Sequence, residues 1–357
     1  MEILKSWYQR TFSNPQVVIL ALFIIAGILL ISFLGGMLTP VFASLIIAYL
    51  LEAVVVRMER QKIPRLLAVI LVFSVFLAAL VFLLFGLGPL LTGQLTQLVQ
   101  QIPNYISQGQ ELLNRIPELY PQITTEMVQD FGTQLGGNLA TMGQALVTWS
   151  LSSVVNVVSL LVFLVLVPIL VFFFMKDKAK LIQWVVAYLP RNHDLAASVW
   201  TEVDGQMGNY VRGKAVEIII VGSVTFITFS LMGLQYSALL ATLVGFSVLI
   251  PYIGAAVVTL PVAIIAFFQF GWGWDFGSVI IAYGIIQAID GNLLVPLLFS
   301  EVVNLHPIAI IVAVLIFGGL WGFWGVFFAI PLATVVNAVL RAWPVATEQQ
   351  ATEALAE

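Results

Sequence analysis

The chain has 357 residues, of which 61% are hydrophobic and only 9% charged, with a formal net charge of −4 and no cysteine. A mean hydropathy of +1.06 excludes an ordinary water-soluble domain, because apolar surface on that scale must face lipid. The missing cysteines exclude disulfides, thiolate metal sites and cysteine nucleophiles. The sequence therefore reads as an all-α polytopic membrane protein.

Apolar runs of roughly 19–25 residues, enough to cross a bilayer core, fall at 16–34, 37–56, 64–85, 151–175 and 216–234. The first is too long for a signal-peptide core and has no small-residue cleavage site, so it reads as a retained span. Gly35 and Gly36 read as a minimal turn that folds the first two spans into a tight hairpin. Between the third and fourth spans, 89–148 is glutamine-rich and poor in charge. Leu91, Leu95, Leu98 and Ile102 recur at helical spacing until Pro103 interrupts, and Val128, Phe131, Leu135, Leu139, Met142 and Leu146 repeat the pattern. Two amphipathic helices are expected there. A further one is expected at 194–211, lying along the inner surface or under the bundle, with Leu195, Val199, Val203, Met207 and Val211 on one face.

The C-terminal third is different. An apolar run at 236–270 would be roughly 52 Å long as one helix, far more than a bilayer needs. Pro251-Tyr252-Ile253-Gly254 interrupts it, since proline removes a backbone donor and glycine permits a turn. A second long run, 305–340, is interrupted by Gly318, Gly319, Gly322 and Gly325. One intact span precedes each: 216–234 before the first, Trp274–Phe299 before the second. An intact span plus a broken hairpin, occurring twice, is the pattern of an inverted repeat, and broken segments of this kind mark substrate sites in transporters. Single kinked helices are the alternative. The fold expected is thus about eight membrane segments, two of them broken, either as re-entrant hairpins or as kinked crossings. It divides into a three-span unit (1–88), an extracytoplasmic helical segment (89–150), a fourth span with its cytoplasmic helix (151–213), a transport core (214–343) and a tail (344–357).

Thirteen of the fourteen Lys and Arg residues fall on one side in this scheme, with Arg115 alone on the other. The positive-inside rule then puts both termini in the cytoplasm.

One carboxylate stands out. Asp290 lies inside the apolar stretch Trp274–Phe299, where insertion of such a group costs roughly 2.5–3.5 kcal/mol. Tyr283, Gln287 and Asp290 stand at i, i+4 and i+7, one polar stripe on one helix face. The bland reading is a carboxylate hydrogen-bonded between helices near a membrane edge; the sharper one is a proton carrier on a transport path. Asn292, Tyr252 and His306 are further candidates. Tyr252 at the first break either binds a polar solute or anchors at the interface, and His306 beside Pro307 is either a proton relay or a helix cap. Pro296 and Pro307 join Pro251 and the glycines as expected helix breaks. Glu217, within a turn of Lys214, reads as half of a surface ion pair, and Glu52 as snorkelling or paired with Arg57.

The motifs resemble a family. Ile47-Ala48-Tyr49-Leu50-Leu51-Glu52, Arg57, Ile63-Pro64-Arg65, Tyr210-Val211-Arg212-Gly213, Leu231-Met232-Gly233-Leu234, Ile250-Pro251-Tyr252-Ile253-Gly254, Asp290-Gly291-Asn292, Leu305-His306-Pro307 and Ala329-Ile330-Pro331-Leu332 stand in the order and spacing of the autoinducer-2 exporter-like transporters. Ala53 departs from the proline many relatives carry, and 297–304 lacks a basic residue often found there. The resemblance implies a permease of the bacterial inner membrane, usually with eight spans. It also implies homo-oligomers, pentamers among them, and links to export of the autoinducer-2 quorum signal or to sodium–proton exchange.

The expected function is therefore a secondary transporter exporting a small polar solute, coupled to the proton gradient. The alternatives are a cation–proton antiporter and an uncoupled oligomeric channel. No phosphate-binding loop and no His-Glu-x-x-His or Gly-x-Gly-Asp pattern occurs, so an enzyme is not expected. The partners expected are a small molecule or ion, the lipid bilayer and further copies of the chain, with no nucleic acid, cofactor or metal.

Overall fold

A computed structural model describes residues 15–114, 157–187, 194–251, 253–299 and 306–342, together with Gly137 and Thr141. All elements among them are helical. The chain divides into two compact units, one of Met1–Val69, Leu170–Ala215 and Val295–Glu357, the other of Ile70–Ile169 and Val216–Leu294.

In the first unit, α1 (Pro15–Arg60) is one continuous helix, and the turn expected at Gly35 and Gly36 does not form. A glycine inside a helix costs only about 1 kcal/mol relative to alanine, and the apolar run on both sides keeps the ladder intact. At the inner end of α1, Arg65 opens α2 (Arg65–Phe82) and binds Glu52 at 3.0 Å, Glu59 at 3.1 Å and the Met175 carbonyl at 2.6 Å. Lys178 reaches Glu52 at 3.4 Å. Glu52 is buried and pairs with Arg65 and Lys178 rather than snorkelling or pairing with Arg57. This knot joins α1 and α2 to the junction of α4 (Val157–Lys176) and α5 (Lys178–Ala187), where the axis turns by 78°.

The helix α2 continues through a π turn at Leu83–Leu87 into α3 (Gly88–Asn114), a helical run of 50 residues. Pro103 does not interrupt it. The second amphipathic helix expected at 128–146 lies outside the described residues, apart from Gly137 and Thr141.

The helix α6 (Asp194–Leu231) is likewise unbroken. The amphipathic helix expected along the inner surface and the span after it are one rod, about 57 Å long, because nothing between Val211 and Val216 stops a helix. Its N-terminal part packs in the first unit through Tyr210 and Val211, and its C-terminal part in the second through Val221 and Phe229.

Among the described residues, six helices are long and apolar enough to cross a membrane, or seven if the bent pair α4–α5 counts as one more span.

Both interrupted runs fold back on themselves. In the second unit, α7 (Ser237–Ser247) and α8 (Ile253–Phe270) form an antiparallel hairpin. The side chain of Gln269 accepts from the Gln235 N–H at 2.7 Å and donates to the Gly233 carbonyl at 2.8 Å. One kinked helix would hold those residues roughly 50 Å apart. At the tip, a methyl group on Gly254 would land on the Ser247 carbonyl oxygen, so only glycine lets the arms meet this closely. In the first unit, α11 (Pro307–Phe327) and α12 (Ala329–Ala342) repeat the device. Gly322, at φ 59°, breaks α11 near its end, and Gly325 sits against the Phe317 carbonyl.

Pro296 does not break a helix, whereas Pro307 stands where one begins, after the extended His306. Pro307 is the first residue of α11, where its missing N–H is no loss. Pro296 lies in α10 (Val295–Phe299), directly after a π turn at Asp290–Leu294. The widened turn makes room for the proline ring against the preceding carbonyls.

Candidate functional site

The second unit holds buried Glu217, Thr225, Ser247 and Asp290. Its core cluster is drawn mainly from α6, α7, α8 and α9 (Trp274–Ile289). The buried face of α9 carries Val279, Tyr283, Ile286 and Asp290, spaced to stay on one side. The buried face of α6 carries Glu217, Val221, Thr225 and Phe229 at intervals of four. Both stripes enter one core cluster, with Val221, Phe229, Tyr283 and Ile286 as members and the Phe229 and Tyr283 rings 6.4 Å apart.

The two stripes run in opposite chain directions. Gln269, at the end of α8, holds Gly233 and Gln235 just past the end of α6, and α9 begins four residues beyond the end of α8. So α6 runs toward this end and α9 away from it. Counting helical rise from that end, Glu217 lies about 21 Å down α6 and Asp290 about 24 Å down α9. The hairpin tip lies about 15 Å down α7. It meets α6 directly: a Cβ on Gly245 would be 3.1 Å from the Ile218 carbonyl and 3.2 Å from the Gly222 Cα. Small residues at this crossing let the backbones approach, as they do between membrane helices.

Asp290 is 7% exposed and opens the π turn, a helical irregularity frequent at functional sites. Gln287, one turn earlier, is half-buried, and its Nε2 is shielded from solvent with no hydrogen-bond partner among the described residues. Thr225 is fully buried, and its hydroxyl likewise has no partner among them. Unsatisfied polar atoms of this kind are costly in a dry interior.

Tyr283 has a defined job. Its hydroxyl donates to the Ala255 carbonyl at 2.9 Å, and Thr259 donates to the same carbonyl at 2.8 Å. The bond ties the first turn of α8 to α9. The other end of the hairpin is held by α3: Gln94 accepts from the Leu239 N–H at 2.9 Å, and Tyr105 stacks on Phe268 with ring centroids 4.8 Å apart. Trp272 and Trp274, in the α8–α9 turn, are exposed.

The other sequence candidates separate from this group. Asn292 is exposed and donates to its own helix at the Ala288 carbonyl, 2.8 Å away. His306, in the first unit, caps α11: its Nδ1 accepts from the Ile308 N–H at 3.3 Å and the residue is exposed. Pro251 sits at the tip of the α7–α8 hairpin, while Tyr252 lies outside the described residues.

Sequence reasoning placed Glu217 on the surface, and this is corrected: Glu217 is 1% exposed and Lys214 is buried as well. The signal was present, since Glu217 begins the every-fourth-residue stripe through Val221, Thr225 and Phe229. Gln94 and Gln269 gave no such signal, because an exposed glutamine on an amphipathic helix looks like solvation.

A family model for the AI-2E family transporters matches residues 18–345. The chain is 47% identical over 345 residues to the candidate permease PerM of Escherichia coli strain K12, covering 96% of this chain and 98% of PerM. It is 29% identical over 299 residues to the candidate transport protein YueF of Bacillus subtilis, covering 82% and 80% of the two chains. To the AI-2 transport protein TqsA of E. coli K12 it is 23% identical over 332 residues, covering 93% of each.

Proposed function

The chain belongs to the AI-2E family of transporters, and from that premise we propose a secondary permease that exports a small polar solute with the proton gradient. A furanone-type quorum signal of the autoinducer-2 kind is the first solute to try, since TqsA is named for AI-2 transport. The observation that carries the reading is Asp290: a carboxylate 7% exposed, opening a π turn inside a 26-residue apolar span. A carboxylate kept at that depth earns its place by taking up and releasing a proton.

In this reading the α7–α8 hairpin is re-entrant, its tip ending near mid-membrane where freed backbone groups meet the solute. Gln287 and the hairpin tip line the path, and Tyr283 holds the tip in place. The Arg57–Arg65 edge and Lys176–Lys180 face the cytoplasm of a bacterial inner membrane. The functional unit is a homo-oligomer, a pentamer first among the candidates.

A cation–proton antiporter is the second reading. It gains from the burial of Glu217, which gives the second unit two buried acids instead of one.

The test is a proteoliposome assay with a pH-sensitive dye inside and either sodium or an autoinducer-2-type solute outside. A pH change evoked by the organic solute and lost in Asp290→Asn supports the permease. A change evoked by sodium alone supports the antiporter and removes the first reading.

A further inference from the structure

We propose that the corner formed by the α1–α2 turn and the α4–α5 bend binds the headgroups of anionic lipids at the cytoplasmic face. The proposal goes beyond the transport reading and does not depend on which solute is carried.

Charge is uneven at this corner. Residues 52–65 and 176–180 hold seven Lys and Arg side chains against three acids. All three acids are already engaged: Glu52 by Arg65 and Lys178, Glu59 by Arg65, and Asp177 by Lys180 at 3.2 Å. Arg57, Arg60, Lys62 and Lys176 are exposed, and none of them pairs with an acid among the described residues. The knot gathers them. The Arg65 guanidinium holds the Glu59 carboxylate at 3.1 Å and the Met175 carbonyl at 2.6 Å. The chain segments that carry Arg60 and Lys176 are therefore neighbours. Arg57 and Arg60, at i and i+3, share a face of α1, and like charges so placed repel. An anion bridging the corner relieves that repulsion. The preference of cations for the cytoplasmic side accounts for their sign, but not for their gathering around spent acids on one braced corner.

A second, independent observation selects a lipid over a soluble anion. The helix α5 leaves α4 at 78°, so it turns from the direction of a membrane span to lie close to the membrane plane. None of its residues is buried. Leu181, Ile182, Val185 and Val186 are exposed and form one arc of its surface, with Lys180 and Gln183 on the opposite arc. Helices divided in this way rest in the headgroup layer with the apolar side toward the acyl chains. Phe173, 48% exposed in the last turn of α4, extends the apolar surface. Lys176 lies over it, with its Nζ 5.8 Å from the ring centroid. Acyl chains thus meet α5 and Phe173 while the phosphate meets the cations. A soluble anion would use the charge and leave the apolar surface idle. Four or more Lys and Arg beside a span or an amphipathic helix are a recurrent means of holding acidic headgroups.

The test uses the purified full-length protein in an uncharged detergent, with phosphatidylglycerol as the probe and phosphatidylcholine as the neutral control. Native mass spectrometry counts the lipids retained and the copies of the chain, and the melting temperature is followed in the same titrations. The wild type is expected to retain phosphatidylglycerol over phosphatidylcholine and to melt higher with it. The difference should vanish in about 0.5 M salt, where surface charges are screened. Each neutralised cation should weaken phosphatidylglycerol binding about fivefold. Lys62→Gln with Lys176→Gln should therefore cost about thirtyfold, and Lys62→Arg with Lys176→Arg should keep wild-type binding. Adding Arg57→Gln and Arg60→Gln to the first pair should erase the preference. Equal retention of the two lipids by the wild type overturns the proposal, as does a four-site variant that keeps the preference. Should that variant not fold, unchanged binding by the two-site Gln variant overturns it instead. Glycerol 3-phosphate that raises the melting temperature as much as the lipid does would mark a soluble-anion site and defeat the proposal. A four-site variant that keeps its lipid but changes its copy number would make the corner an interface between subunits, and the proposal would fall. Silent proteoliposomes beside an intact lipid preference would defeat the permease alone.

Discussion

The two broken hairpins, one in each unit, share a frame and differ in what fills it. Each closes on a glycine pressed against a carbonyl seven or eight residues earlier, Gly254 on Ser247 and Gly325 on Phe317. Each is also tied by a tyrosine hydroxyl on another helix, Tyr283 to the Ala255 carbonyl and Tyr210 to the Phe327 carbonyl at 3.2 Å. The contents diverge. Around the α11–α12 turn stand Phe317, Trp321, Phe323, Trp324, Phe327 and Phe328, ring against ring. Around the α7–α8 hairpin stand Glu217, Thr225, Gln287 and Asp290. The first is lined with aromatic rings, whereas the second unit holds the Thr225 hydroxyl and the Gln287 amide nitrogen with no hydrogen-bond partner among the described residues. Repeating a backbone device does not repeat its surroundings.

The largest expected effect tests what the hairpins share. Gly254→Ala and Gly325→Ala each drive a methyl group into backbone, and overpacking of that kind costs about 3 kcal/mol at its upper end. Both should lower thermal stability in detergent and abolish transport. Should either variant match the wild type, the closed tip is not what holds that hairpin.

Next comes the contrast. Asp290→Asn should reduce solute-driven proton movement in proteoliposomes to background. Thr334→Val, which removes a buried hydroxyl in the first unit bonded only to its own helix at Ile330, should leave the rate within about twofold, as substitutions outside special sites usually do. Equal losses would erase the distinction between the units.

A smaller effect separates tying from transport. Tyr283→Phe and Tyr210→Phe each remove one hydroxyl bond, worth about 1 kcal/mol, so their melting temperatures should fall by similar amounts. Only Tyr283→Phe should also slow transport, because only its hairpin tip borders the polar seam. Smallest is Gln269→Ala, which frees the Gln235 N–H and the Gly233 carbonyl at an exposed mouth. Its cost should be about 1 kcal/mol or less, with faster hydrogen exchange at Gln235 as the readout and Leu239, bonded to Gln94, as the unchanged control.

How legible was this in the sequence? The breaks were, because Pro251, Gly254 and the Gly318–Gly325 cluster interrupt runs too long for a bilayer, and length alone forces a fold-back. Asp290 was, because an acid well inside a 26-residue span, sixteen residues from its start where Asp275 sits at the edge, has no bland surroundings to hide in. Continuity was not. Gly35, Gly36 and Pro103 look like stops, yet the helices run through them, since packing and the surrounding ladder outweigh one weak residue. Burial of Glu217 was lost for a related reason: a nearby lysine looks like a solvent-exposed pair until the helix is known to continue inward. The Glu52 partner was missed because Arg65 is thirteen residues away and only the α1–α2 turn brings it back.

The claim that the solute path runs along the polar seam of the second unit is tested most directly by accessibility. The chain has no cysteine, so single thiols can be placed at will. Gln287→Cys and, as the control, Thr334→Cys would be reconstituted, checked for transport, and exposed to a membrane-impermeant thiol reagent with and without solute. The account predicts that the thiol at position 287 is labelled, that solute slows its labelling, and that the thiol at position 334 stays inert. An active Gln287→Cys protein that resists the reagent from both faces would contradict it.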